Sequence, residues 1–341
     1  MRDTGHRGGG LPVTPAGHRL LQLCSLTLAA GAVALLALAA CGSTPAPAPD
    51  HAAHAGMPGM PGMDHTGTAT PGTAPSGMPG MAGMPGMPGM AGMAGMTTDE
   101  GLTAERDGYR LDSPATELPA GVPVSYPFTI TGPDGRPVTD FAEVQTEKLH
   151  FYAIRTDLTG YQHLHPTMAA DGTWTADPTA LAPGDWRLYA SFTPNTGPRQ
   201  GKEFVLGRTV TVPGAAGAVP LTAAVPLPAV GDSATVDGWT ATVQGELTAG
   251  KAGPLTVTIS RDGRPVTDLQ PYLASYAHLS AFHEGDQALA HLHPITPVAG
   301  DHGGPTLTFY ALLGRPGNWR VFLQFRTAGQ VHTAELTLHV A

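Results

Sequence analysis

The feature that most limits what this chain can fold into is a duplication. His150, His163 and His165 return as His278, His291 and His293, each 128 residues further on. The heptad Asp-Gly-Arg-Pro-Val-Thr-Asp at 134–140 returns letter for letter at 262–268, at the same shift. A chain that repeats at this spacing folds as two copies of one unit, each of about 110 residues and large enough to bury its own core. Between the heptads and the prolines that follow, 26 positions can be aligned, 141–166 with 269–294, and six are identical. Three of the six are the histidines; the others are Ala153/Ala281, Leu164/Leu292 and Pro166/Pro294. The imidazoles persist where their surroundings have changed, and metal ligation is the simplest physical reason.

The residues of each copy read as strands. Helical periodicity is absent. Short alternating stretches fall at 122–131, 148–155, 161–165, 186–192 and 204–212, and again at 234–244, 255–260, 274–282, 288–293, 306–312, 319–325 and 331–340. Pro133-Asp134-Gly135 is a turn signal, and the aspartates Asp134, Asp140, Asp262 and Asp268 read as turn chemistry. Many short strands separated by turns predict an all-β protein of two tandem immunoglobulin-like antiparallel β-sandwiches, at 101–214 and 219–341. Trp186 and Trp319 each follow a turn and open a strand whose alternate residues are apolar (Leu188, Ala190, Phe192; Val321, Leu323, Phe325), so both indoles are expected in the core.

The N-terminal part differs. Arg2, Arg7 and Arg19 precede an uncharged apolar run from Leu20 to Ala40, which ends in Leu-Ala-Ala-Cys-Gly. That pattern resembles a bacterial lipoprotein signal: 1–40 is a signal peptide, Cys41 carries the lipid, and the rest lies outside the cytoplasm on the outer face of the cell membrane. An uncleaved membrane anchor is the alternative. The only other cysteine, Cys24, lies in the segment to be removed, so no disulfide or thiolate ligand is expected. Residues 41–100 are rich in Gly, Ala, Pro, Met and Thr with no apolar periodicity, the composition of a disordered tether with a reach of roughly 40–45 Å. The net charge is −9 and basic residues are scattered singly, so nucleic acid is not an expected partner.

Two sets of residues could carry chemistry. On a strand, residues i and i+2 face the same way, so His163 and His165 project together while Leu164 points into the core. If the strand carrying His150 pairs with theirs, three neutral imidazoles meet, a donor set suited to Cu(II) or Zn(II). His278, His291 and His293 repeat the arrangement, so each repeat is expected to hold one ion. Met168 could add a thioether to the first site. The second set lies in the tether: Met57, Met60 and Met63, then Met78, Met81, Met84, Met87, Met90, Met93 and Met96, all spaced by three, with His51, His54 and His65 nearby. Soft thioethers favour Cu(I). His283, His302, His332 and His339 have no counterpart in the first copy and read as surface residues.

Residues 148–166, through His-Leu-His-Pro, and 184–194, with Gly-Asp-Trp, resemble a group of secreted proteins and lipoproteins common in actinobacteria. Residues 271–294 and 317–325 resemble its C-terminal unit. The resemblance covers about 100–341 and implies a tandem β-sandwich with a heavy-metal-binding role. In that group tyrosine is commoner where this chain has Trp186 and Trp319. The combined expectation is a membrane-anchored metal-binding lipoprotein, with copper ahead of zinc as its ion. Its role would be chaperoning, buffering or delivery to a metal-accepting protein, without turnover. The alternative is a non-metal adhesion or assembly module of two sandwiches on a flexible stalk. No nucleophile elbow, phosphate loop or zinc-protease helix motif is present, so an enzyme is not expected.

Overall fold

The computed structural model describes residues 100–214, 227–292 and 294–341. The signal segment, Cys41, and the Met and His residues of the tether lie outside the described residues, as does most of the Ala/Gly linker after Gly214. Among the described residues there is no helix long and apolar enough to cross a membrane.

The first repeat contains β1 (Glu105–Arg106), β2 (Tyr109–Asp112), β3 (Tyr126–Thr131), β4 (Leu149–Arg155), β5 (Gln162–Leu164), β6 (Thr167–Met168), β7 (Thr173–Ala176), β8 (Gly184–Phe192) and β9 (Phe204–Val212). They form two antiparallel sheets, in the orders β1-β2-β3-β7-β6 and β5-β4-β8-β9. The second repeat contains β10 (Ser233–Val236), β11 (Trp239–Gln244), β12 (Gly253–Arg261), β13 (Arg264–Pro265), β14 (Ala277–His283), β15 (Leu289–Leu292), β16 (Thr306–Ala311), β17 (Gly317–Thr327) and β18 (Gln330–Val340). Its sheets run β10-β11-β12-β13, with β16 also on β12, and β15-β14-β17-β18. The chain is therefore all-β, two tandem immunoglobulin-like sandwiches, as the alternation and turn spacing predict. The stretch 234–244 is not one strand: Asp237 and Gly238 take positive φ and turn it into the β10–β11 hairpin.

Each sandwich closes over its own core. Phe128, Phe151, Trp174 and Trp186 are among the buried residues of the first; Val257, Ile259, Phe309 and Trp319 are among those of the second. The two indoles do the same job at equivalent places. Trp186 Nε1 donates to the Ala182 carbonyl at 2.8 Å, and Trp319 Nε1 to the Arg315 carbonyl at 3.1 Å, each four residues back. A buried indole N–H needs such an acceptor.

The inner strands are buried on both faces. In β4, Leu149, Phe151 and Ala153 face the core of their own sandwich, while His150, Tyr152 and Ile154 face away from it and are buried too. In β14, Ala277, Leu279 and Ala281 face inward, and His278, Ser280 and Phe282 face away, also buried. The reason is a third apolar cluster between the sandwiches. Tyr152, Ile154, Leu158, Tyr189 and Val205 of the first repeat pack with Phe282, Leu289 and Phe322 of the second. Tyr161 stacks on Phe322 with ring centroids 4.2 Å apart and planes at 12°. The histidine-bearing sheets thus face each other across a buried interface.

Candidate metal centre

The β4–β5 hairpin brings the first triplet together. Ladder pairing sets Tyr152 opposite His163 and Phe151 opposite Leu164, so His163 shares the outward face of β4 with His150, and Leu164 packs on the core. The hairpin loop is locked by side chains. Arg155 donates to both carboxylate oxygens of Asp157, at 3.0 and 2.6 Å, and to Thr159 Oγ1 at 2.8 Å. Burial alone would raise the Asp157 carboxyl, but hydrogen bonds from Arg155 and Thr159 outweigh it and hold the group below the ordinary carboxylate range. Gly160, at φ 72°, lets the backbone lie against Trp186: a Cβ there would stand 2.5 Å from the indole.

The result is a cluster in which His150, His163 and His165 each offer a ring nitrogen within 4.8 Å of the others. His150 is buried and the other two are half-buried. The second nitrogens set the tautomers. His150 Nε2 lies 3.0 Å from the Val144 carbonyl, which can only accept, so this nitrogen carries the proton and Nδ1 presents a lone pair. His163 Nδ1 lies 2.8 Å from Gln324 Oε1, so it too is the protonated nitrogen, and Nε2 presents the lone pair. These two lone-pair nitrogens face each other at 3.1 Å. That is hydrogen-bond contact, and a shared proton or a metal ion can fill the space between the two nitrogens. Two imidazoles bound to one tetrahedral ion at roughly 2.0–2.1 Å stand about 3.3 Å apart, close to the separation seen.

His165 completes the set. Its Nε2 is buried without a hydrogen-bond partner. Burial pushes the imidazole below its ordinary value, and Glu147 opposes this weakly, so the ring favours the neutral form that a metal requires. Three neutral donors, two with carbonyl partners on the far nitrogen and one with an unsatisfied ring nitrogen, fit a late first-row ion such as Cu(II) or Zn(II).

The second repeat enters the same place. His278 is fully buried, with its ring 4.6 Å from that of His163 and 5.6 Å from that of His150. Its Nε2 lies 3.3 Å from Tyr152 Oη, and Tyr152 stacks on the other neighbour, His163, at 4.6 Å. His291 lies on β15, with its backbone paired to Ser280. The side chain of His291, and His293 as a whole, fall outside the described residues. The described histidines of the two triplets are therefore neighbours across one interface.

Several sequence readings change. Met168 packs against the core of the first sandwich, so its thioether is a core group instead of a ligand. His332 is not a surface residue: it is buried, its Nδ1 lies 2.8 Å from Asp237, its Nε2 2.9 Å from Thr327 Oγ1, and its ring stacks on Trp239. It clamps the β10–β11 hairpin to the β17–β18 hairpin. His283 is half-buried and braces the second repeat's hairpin loop, with Nδ1 2.7 Å from Asp286 and Nε2 3.0 Å from the Pro316 carbonyl. His302 and His339 are exposed, as expected. Asp134 accepts from the Arg136 amide and Asp140 from Asn195, in keeping with turn roles. Gln324 was not legible as a site residue. It lies 161 positions from His163 in a strand with no local motif, and only the pairing of His278 with Gln324 on β17 points to it.

A family profile described as Domain of unknown function (DUF8832) matches residues 104–212 and, a second time, 234–341. No match was found among the curated proteins. Among solved structures, the Escherichia coli adhesin FdeC is 17% identical, with 70% of this chain and 65% of that chain covered and a TM-score of 0.22. The fibronectin(III)-like modules of Clostridium thermocellum CbhA are 13% identical, covering 68% and 93%, at 0.19. Yersinia pseudotuberculosis InvD is 16% identical, covering 70% and 58%, at 0.23. The chain thus spans about two thirds of FdeC.

Proposed function

The chain belongs to the DUF8832 family, whose domain it carries twice, and from that footing we propose that it is a lipid-anchored, extracytoplasmic protein that binds a metal ion, copper ahead of zinc, through His150, His163 and His165. The observation that supports this reading is the convergence of three imidazoles, with His150 and His163 meeting through ring nitrogens 3.1 Å apart and each held by an oxygen on the far side of its ring. The Met-rich tether, attached to the membrane through Cys41, would collect Cu(I) on thioethers near the membrane surface and pass it to the folded part. The protein's role would be buffering, or delivery to a metal-accepting partner.

The test is thermal unfolding of the full chain with and without Cu(II) or Zn(II). A ligand that binds only the folded state raises the midpoint, so the rise is expected in the wild type and absent in His163→Ala. Equal rises in both proteins would reject the reading. A second reading has its own support. The apolar cluster joining the sandwiches suits a rigid two-module stalk for adhesion or assembly, with the histidines as a hydrogen-bonded structural network. Metal content after purification without chelators separates the two, since the stalk would carry none.

A further inference from the structure

The sequence treats each repeat as holding its own ligands, but the acceptor behind His163 comes from the other sandwich. We infer that the metal centre of the first repeat is completed by the second sandwich, which supplies Gln324 as a positioning residue and packs the His278 ring on His163. This rests on the three-histidine reading and adds the interface to it.

Three observations carry the inference. First, the acceptor that fixes the His163 tautomer is not in its own sandwich. Gln324 stands on β17 of the second repeat, directly opposite His278 in the ladder. The outer partner of a ligating histidine orients the ring and raises its basicity, and losing it typically costs roughly 10–100-fold in metal affinity. Second, His278, the repeat equivalent of His150, packs on the first triplet. It stacks over His163 at 24° with ring centroids 4.6 Å apart, so the second sandwich fixes the plane of that ligand's ring. Third, the centre is continuous with the apolar cluster between the sandwiches, because Tyr152 belongs to that cluster and touches both His163 and His278. A bound ion and a closed interface therefore stabilise each other, and the coupling is reciprocal.

The test is a titration of the full chain with Co(II), whose visible bands report tetrahedral nitrogen sites and which the soft thioethers of the tether do not favour. One equivalent is expected to develop intense bands in the wild type. Gln324→Leu should weaken binding by about 10–100-fold and Gln324→Glu should restore it, since a carboxylate also accepts from His163 Nδ1. His278→Ala should shift the band positions. Unchanged affinity in Gln324→Leu would overturn the positioning role, and with His163→Ala still abolishing the signal the three-histidine reading would survive. No bands in the wild type would reject both.

Discussion

The two repeats solve the same packing problem with different side chains. Among the described residues, the buried core of the first holds nine aromatics, with Tyr126, Phe128 and Phe151 in mutual contact and Trp174 stacked on Phe128; that of the second holds four and is otherwise Val, Leu, Ile and Ala. Both close into sandwiches with the same inner ladder, and both tie their indole to a carbonyl four residues back. Cores tolerate such exchange when volume and alternation are kept. The outward faces of β4 and β14 behave differently. His150 and His278 are equivalent by sequence, but His150 donates to the carbonyl of its own loop at Val144, whereas the Tyr272 carbonyl, the equivalent acceptor, takes a bond from Ser275. His278 turns to Tyr152 of the other repeat. Core positions are interchangeable between the copies, and interface positions have specialised.

The strongest way to break this comparison is through the indoles. If Trp186 and Trp319 are equivalent, Trp186→Ala and Trp319→Ala should each destabilise by about 3–5 kcal/mol. Urea unfolding of the two variants should differ by less than about 1 kcal/mol; a much larger gap would show that the equivalence stops at geometry. A smaller effect is expected at the interface. Tyr152→Phe removes the hydroxyl that His278 meets at 3.3 Å and should cost about 1 kcal/mol, as a lost buried hydrogen bond does. The same unfolding assay would read no loss if that contact were incidental.

The smallest effect separates the two hairpin locks. Arg155 and Asp157 hold the first loop, and His283 and Asp286 the second, where Arg315 also meets Asp286. Asp157 is held below its ordinary value of 3.8, so its contribution is present above that pH and is lost as pH falls from 3.8 through the folded value. Asp157→Asn should flatten the acid limb of stability in that window and leave the pH dependence above it unchanged. An unaltered acid limb would mean that Arg155 holds the loop without the carboxylate charge.

Much of the fold was legible because alternation, turn residues and the repeat are local signals. The strands at 204–212 and 148–155 match β9 and β4 closely, and both Trp residues lie where the apolar alternation puts them. Strand β7, with Trp174, was missed because Thr-Trp-Thr-Ala is too short to show a period. The grouping of His150 with His163 and His165 followed from strand parity. The convergence of His278 and Gln324 on that group did not, since it depends on how two sheets pack and no spacing along the chain encodes that. His332 was misread for the same reason: its partner Asp237 is 95 residues away.

The most direct measurement is the Cu(II) electron paramagnetic resonance spectrum of the full chain beside that of His163→Ala, at one equivalent of copper. Imidazole nitrogens split the wild-type signal, and the account predicts splitting from at least three of them, lost in the variant. Identical spectra from the two proteins would contradict it.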